Sequence, residues 1–311
     1  MTDVKSSDAS YTMNPLAIWV RSGRLWSLPA SVMPVWVALV MAWKDVSLLR
    51  ASGHDARFLF LPAICCFMFA VLAHISANLL NDYSDYRTGA NADVRAKRES
   101  GQRVSEKSLF IGGVAAFCTA AVFGLATIPY GGMTIVLAGV VTGAICLMYS
   151  VGPFPLSEWG LGDVADVLTF GLSSVVFTHF LQLGSFSVDT LLLGFAFGMA
   201  INNLLVANNF GDYEDDKAVN KYTTIVLFGK NFGRLLYIAE GFLGAASLAV
   251  LYTHRGCWGV FAVLSVVLYL ASHLRASMTF LREDFVRPTA IGQSARNVTL
   301  LGVLVPLALL F

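Results

Sequence analysis

An all-α, polytopic membrane protein is the fold class this sequence predicts, and three observations predict it. Apolar residues make up 56% of the 311-residue chain and charged residues only 13%, with a mean hydropathy of +0.67. A soluble domain carries roughly 25% charged residues, so these few charges cannot cover a water-facing surface. Secondly, the charges are clustered, leaving apolar stretches close to the ~20 residues that cross about 30 Å of hydrocarbon. Thirdly, all but four of the 21 Lys and Arg residues fall on alternate connections.

Nine spans follow from the apolar runs, near 25–43, 58–80, 108–127, 131–150, 164–184, 189–210, 231–253, 257–280 and 293–311. The first holds Pro29 and Pro34, which membrane helices tolerate as kinks where neighbours satisfy the freed carbonyls. The second ends in a polar run beginning at Asn78. The turn Pro129-Tyr-Gly-Gly132 separates the third from the fourth, and the Gly- and Pro-dense segment 151–163 leads to the fifth. The sixth ends in a second polar run beginning at Asn208. His254-Arg-Gly256 makes the seventh and eighth antiparallel neighbours, and the ninth closes the chain. The whole of 1–311 reads as one transmembrane domain.

Segment 1–20 is polar and acid-bearing and lacks the positive n-region of a cleaved signal peptide. The exceptions to the basic bias, Lys44, Arg50, Arg57 and Arg255, define the outer face. The positive-inside rule then sets the N-terminus and the connections 81–107, 151–163 and 211–230 on the cytoplasmic side of the cell inner membrane. A net charge of +1, with no basic run interleaved with aromatics, gives no sign of a nucleic-acid partner. The five cysteines lie in or beside apolar stretches without a CxxC pair, so neither a zinc site nor a disulfide framework is indicated.

Two matched motifs carry the chemistry. In Asn78-Leu-Leu-Asn81-Asp82-Tyr-Ser-Asp85-Tyr-Arg87-Thr-Gly89, residues His74, Asn78, Asp82 and Asp85 share one stripe of a continuing helix. In Asn208-Asn209-Phe-Gly-Asp212-Tyr-Glu214-Asp215-Asp216, followed by Lys221, a stripe of Asn202, Asn209, Asp212 and Asp216 is expected. Facing carboxylate pairs need a reason not to repel, and Mg²⁺ supplies one: it takes hard oxygen ligands and shares them with substrate phosphates. A diphosphate bridged by such ions is a better leaving group. Polar residues inside a membrane are costly and mark function by default. Lys221 completes the second motif as a point charge for phosphate; Arg95, Lys97, Arg98 and Arg103 follow the first. A third segment, 149–163, offers Tyr149 and Phe154 as rings that can line a pocket and stabilise a cation. A cation-coupled transporter is the rival reading, although transporter sites sit near the midplane at broken helices.

These motifs resemble the UbiA superfamily of intramembrane aromatic prenyltransferases, most closely its 1,4-dihydroxy-2-naphthoate branch in menaquinone biosynthesis. The likeness rests on NxxNDxxDxxxG at 78–89, YxxGPxPLxxxGxGD at 149–163 and NNxxDxxxDxxxxKxT at 208–223. It implies nine helices around a central cavity and a Mg²⁺-dependent transfer of a polyprenyl group from polyprenyl diphosphate to an aromatic acceptor. For the naphthoate, transfer releases CO₂ and diphosphate; homogentisate and 4-hydroxybenzoate are the alternative acceptors. Asp82, Asp85, Asp212 and Asp216 are implied as metal ligands and catalytic residues together with Lys221. Asn78, Asn81, Arg98, Tyr149, Asn208 and Asn209 are the implied substrate-binding residues. The chain departs from the branch at Asn91, where Asp is frequent, at Asn220, where Gly is frequent, and at Asp166.

Overall fold

Peptide groups find no water in hydrocarbon, so a spanning chain must satisfy them internally, and here it does so entirely with helices. The computed structural model describes residues 15–88, 104–150, 153–282 and 284–311. Its helices are α1 (Pro15–Ser22), α2 (Pro29–Ala51), α3 (Phe60–Thr88), α4 (Glu106–Leu125), α5 (Ile128–Ser150) and α6 (Gly162–Leu183). They continue with α7 (Val188–Gly211), the short α8 (Tyr213–Ala218) and α9 (Thr224–Phe228), then α10 (Lys230–Arg255), α11 (Val260–Leu281) and α12 (Arg287–Leu310). Among the described residues nine helices are long and apolar enough to cross a membrane, as expected.

Helices α2, α6, α7, α10, α11 and α12 share one core, built from Val37, Met41, Val175, Phe197, Leu248, Tyr252, Tyr269, Leu301 and neighbours. Close approach of α6 to α7 depends on glycine. A Cβ at Gly171 would collide with the Gly198 backbone and the Gly194 carbonyl. Gly194 and Gly198 form a small-xxx-small stripe of the kind that lets membrane helices touch backbone to backbone. At that contact α6 widens into a π-helical stretch, Val167–Ser173. Such wide turns recur at functional sites.

At the end of the bundle away from the motifs, Arg255 joins Asp45 of α2 to Asp189 of α7, with His179 on Asp45 (2.9 Å) and His254 on Asp189 (2.6 Å). Gln182 donates to and accepts from the Leu59 backbone (2.9 and 2.8 Å), closing the same end. Helices α3 and α4 pair separately, around Leu79, Val104 and Leu109. The fifth element of the array, α5, is held least: only Ile135 and Ser150 of it are buried.

Two boundaries differ from expectation. The turn between the third and fourth spans falls at residues 126–127, and Gly132, with φ +57°, kinks α5 from within. The second motif does not form one helical stripe either. Helix α7 stops at Gly211, the chain bends at Asp212, and α8 restarts at Tyr213. Five charged residues among 212–217 favour water-reachable helix ends over a continued span, and the break turns Asp216 back toward the bundle.

Candidate active site

The two motifs meet. Lys221 extends from the turn after α8, where its N–H donates to the Asp216 carbonyl (2.9 Å). Its ammonium sits 3.1 Å from Asp85 on α3 and 3.6 Å from Asp216. The turn that aims it places Asn220 at φ +58°. That left-handed conformation is open to glycine and, among other residues, most readily to Asn, so the departure at 220 preserves the backbone.

Each of the four motif acids is buried and each meets a cation. Asp82 accepts from Arg24 (3.1 Å), Asp212 from Arg287, and Asp85 and Asp216 share Lys221. Arg24 itself adopts φ +46°, tied down where its carbonyl accepts from the Ser27 hydroxyl (2.8 Å). Asn81 donates to Asp85 (3.2 Å), and Asn78 donates to the His74 carbonyl (2.9 Å). Burial pushes the Asp216 carboxyl up to about 6, against the pull of Lys221. Burial alone would lower the Lys221 ammonium, but Asp85 and Asp216 outweigh it and hold it above its ordinary value.

Beneath this rim opens a chamber of about 960 Å³. Asn78, Asn81, Asp82, Asp85, Asn208, Asn209, Asp212, Lys221 and Tyr149 all line it, together with Arg24 and Arg287. Deeper, the walls are mainly apolar, with Phe69, Phe117, Phe170 and Phe177 among them. Asp216 stands behind Lys221. Two expectations need correction. Asn202 is turned away from the chamber because its amide donates to Glu240 (2.6 Å) and Asp163 (3.1 Å). Phe154 is exposed and packs on Trp159, ring centroids 5.2 Å apart, so it lines no pocket. Arg98, with Asn91, lies outside the described residues. Segment 153–163 does reach the site, through its backbone where Tyr222 N–H donates to the Glu158 carbonyl (3.0 Å), and through a side chain where Ser84 donates to the Glu158 carboxylate (3.3 Å).

Arg24 and Arg287 belong to the site although the topological bias had accounted for their charge, and His74 and Asp163, each inside a motif region, join them. His74 is held by Ser27 (3.0 Å) and Ser31 (2.6 Å), and Asp163 accepts from Asn202 and Thr224. Among the described residues no three His, Cys, Asp or Glu side chains converge on a single point. The donor set still suits a hard divalent cation. Four carboxylates from facing elements surround the rim, and both oxygens of buried Asp216 lack a hydrogen-bond partner, a state that costs free energy until a ligand relieves it.

Comparison with known proteins adds the lineage. The UbiA prenyltransferase family profile matches residues 31–292. The human UbiA prenyltransferase domain-containing protein 1 is 25% identical over 301 residues, 95% of this chain and 82% of that one. The 1,4-dihydroxy-2-naphthoate octaprenyltransferase of Haemophilus influenzae is 25% identical over 261 residues, 81% of this chain and 79% of that one. Among solved structures, a UbiA homolog from Archaeoglobus fulgidus bound to GPP and Mg²⁺ superposes with TM-score 0.65 at 14% identity, covering 94% of this chain and 98% of the other. An apo UbiA homolog from Aeropyrum pernix K1 gives 0.66 at 13%, covering 90% and 96%. With most of the chain inside the family profile and both acidic motifs at one chamber mouth, the protein belongs to the UbiA prenyltransferase family.

Proposed function

We propose that this protein transfers a polyprenyl group from polyprenyl diphosphate to an electron-rich aromatic ring, with 1,4-dihydroxy-2-naphthoate as acceptor. The observation that carries the reading is the contact of Lys221 with both motifs at the mouth of a chamber whose depth is apolar. Charged head and oily tail are thereby separated as a prenyl diphosphate requires. The naphthoate assignment is supported by the motif likeness and by the name of the Haemophilus relative; Mg²⁺ is supported by the Archaeoglobus homolog that carries GPP with it.

Asp82, Asp85, Asp212 and Asp216 would hold Mg²⁺ around the diphosphate. Mg²⁺ bound there supplies charge neutralisation for the departing diphosphate. Arg24, Lys221 and Arg287 each already carry a carboxylate partner, and a diphosphate gives them a second anion to grip. Asn78, Asn81, Asn208 and Asn209 supply amides around the same head group. Below them, Tyr149 and Phe170 present ring faces to the allylic carbon, and the apolar walls keep water from trapping it. The acids stand at helix ends on the rim, which sets this site apart from a midplane ion-transport site. The bias of basic residues supports a rim on the cytoplasmic side of the inner membrane.

The test uses purified protein, Mg²⁺, a polyprenyl diphosphate and naphthoate labelled in its carboxylate. One labelled CO₂ per prenyl group is expected, with activity lost to a chelator. Product that retains the label removes the naphthoate; no transfer to any aromatic removes the reaction class. Repeating the assay in inside-out and right-side-out vesicles checks the orientation, since diphosphate should appear on the cytoplasmic side.

A further inference from the structure

The mechanism above leaves Asp163, Asp166 and Glu240 unused, the last two of them buried. Asp163 and Glu240 are tied together through the Asn202 amide. Asp166, one turn beyond Asp163 on α6, differs from both. It lines the chamber, it is only 9% exposed, and its buried Oδ2 has no hydrogen-bond partner. Nothing in the fold of the bundle requires a carboxylate there, and an unpaired one inside a membrane domain is destabilising unless something binds it.

Its depth points to what that is. Helix α3 runs toward the rim and α6 runs away from it, so levels on the two can be compared. Phe170, four residues deeper than Asp166, meets the His74 ring edge-on at 6.1 Å between centroids. His74 lies eight residues, roughly 12 Å, below Asp82 at a rise of about 1.5 Å per residue, and Asp166 stands about one turn above Phe170. Asp166 therefore faces the space just below the carboxylate rim, between head group and tail. Beside it stands Tyr149, whose hydroxyl lies near the first turn of α6, 3.7 Å from where a Cβ on Gly162 would be. Among the described residues, the Lys and Arg side chains that line the chamber, Arg24, Lys221 and Arg287, have their charged ends on the rim carboxylates.

We propose that Asp166 binds the acceptor: its carboxylate receives the hydrogen bond of a ring hydroxyl and takes that proton as the ring attacks. This rests on the aromatic prenyltransferase reading. As the prenyl C–O bond breaks, its electron pair leaves with diphosphate, and a π pair of the ring forms the new C–C bond. The adjacent hydroxyl becomes a carbonyl, and its proton passes to Asp166. Aromaticity returns when the same ring carbon loses a proton to water, or loses CO₂ if it bears a carboxylate, while Asp166 gives its proton back to the ring oxygen. Asp166 thus ends as it began. A carboxylate on the acceptor is repelled by Asp166, so it turns toward the rim, where Arg24, Lys221 and Arg287 stand.

The experiment compares wild type with Asp166→Leu, Asp166→Asn and Asp166→Glu, using 1,4-naphthalenediol under reducing conditions and 1,4-dimethoxynaphthalene. Each compound's affinity is read by competition against the naphthoate, and prenyl diphosphate affinity is measured separately as the check on folding. Wild type should prefer the diol over the diether by roughly 10- to 100-fold, the scale of a hydrogen bond to a charged group. Asp166→Leu should erase that preference and lower kcat for the naphthoate, Asp166→Glu should keep part of both, and prenyl diphosphate affinity should stay within about twofold. A preference that survives in Asp166→Leu overturns the proposal, as does a loss confined to prenyl diphosphate binding. Wild type that transfers to no aromatic at all removes the underlying reading as well, and the wild-type measurement alone identifies that outcome.

Discussion

Asp216 is the most deeply buried of the four motif carboxylates, and its chemistry can be followed with pH. Its ordinary value is 3.8, and burial raises it to about 6 in the folded chain. The folded state therefore binds this proton more tightly than the unfolded state. The stabilisation is complete below about pH 4 and is lost as pH rises through about 6. A divalent cation needs the deprotonated carboxylate, so its benefit has the opposite dependence. Mg²⁺ with a non-reactive prenyl diphosphate analogue should raise Tm more at pH 7.5 than at pH 5, and Asp216→Asn should flatten that difference. Thermal unfolding in detergent decides it; equal shifts at the two pH values would separate Asp216 from the ligand. At this scale the acids and Lys221 were legible in the sequence, because two copies of one acidic pattern ended two apolar runs. Arg24 and Arg287 were not, since they meet Asp82 and Asp212 from 58 and 75 residues away and the topological bias already accounted for their charge.

Between helices, the contact of α6 with α7 is set by three glycines rather than by interlocking side chains. Lipid tails are as apolar as leucine, so helix association here depends on close packing. Gly198→Leu should push α6 away from α7, where Val167 already stands 3.0 Å from the site of an added Cβ. A loss of stability of about 1–3 kcal/mol or more is expected, as for overpacking of a dense core, with activity falling further because Asp166 and Phe170 ride on the displaced stretch. Gly139→Ala is the control: nothing stands within 4 Å of its Cβ position, and it should be neutral. Unfolding midpoints of the two variants check the contrast. The spans themselves were readable from length and hydropathy, but their partners were not. A helix that is apolar on every side does not reveal which side meets protein and which meets lipid. The π-helical widening of α6 likewise leaves no mark in a sequence read for 3.6-residue periodicity.

For the molecule as a whole, composition foretold a nine-span helical protein with both motifs at one end, and the comparison of folds agrees. What composition could not foretell is the uneven distribution of packing. The far end is fastened by Arg255 between Asp45 and Asp189, and six helices share a core. Helix α5, by contrast, is kinked at Gly132 and nearly unburied, and Leu125 and Val140 line the chamber while remaining largely exposed. The chamber wall is therefore also the lipid boundary. A space of about 960 Å³ suits one drug-sized ligand, enough for an aromatic ring and the first part of a tail. Each CH₂ moved from water into an apolar site is worth about 0.8 kcal/mol, but a tail already lying in hydrocarbon gains nothing by moving. Lengthening the donor from four to eight isoprene units should consequently leave kcat/KM within about threefold, measured with donors of graded length in bilayers; a sharp optimum would mean a closed end. An enzyme shaped this way has a grip but no ruler, and the length of its product is decided by whichever catalyst made the donor.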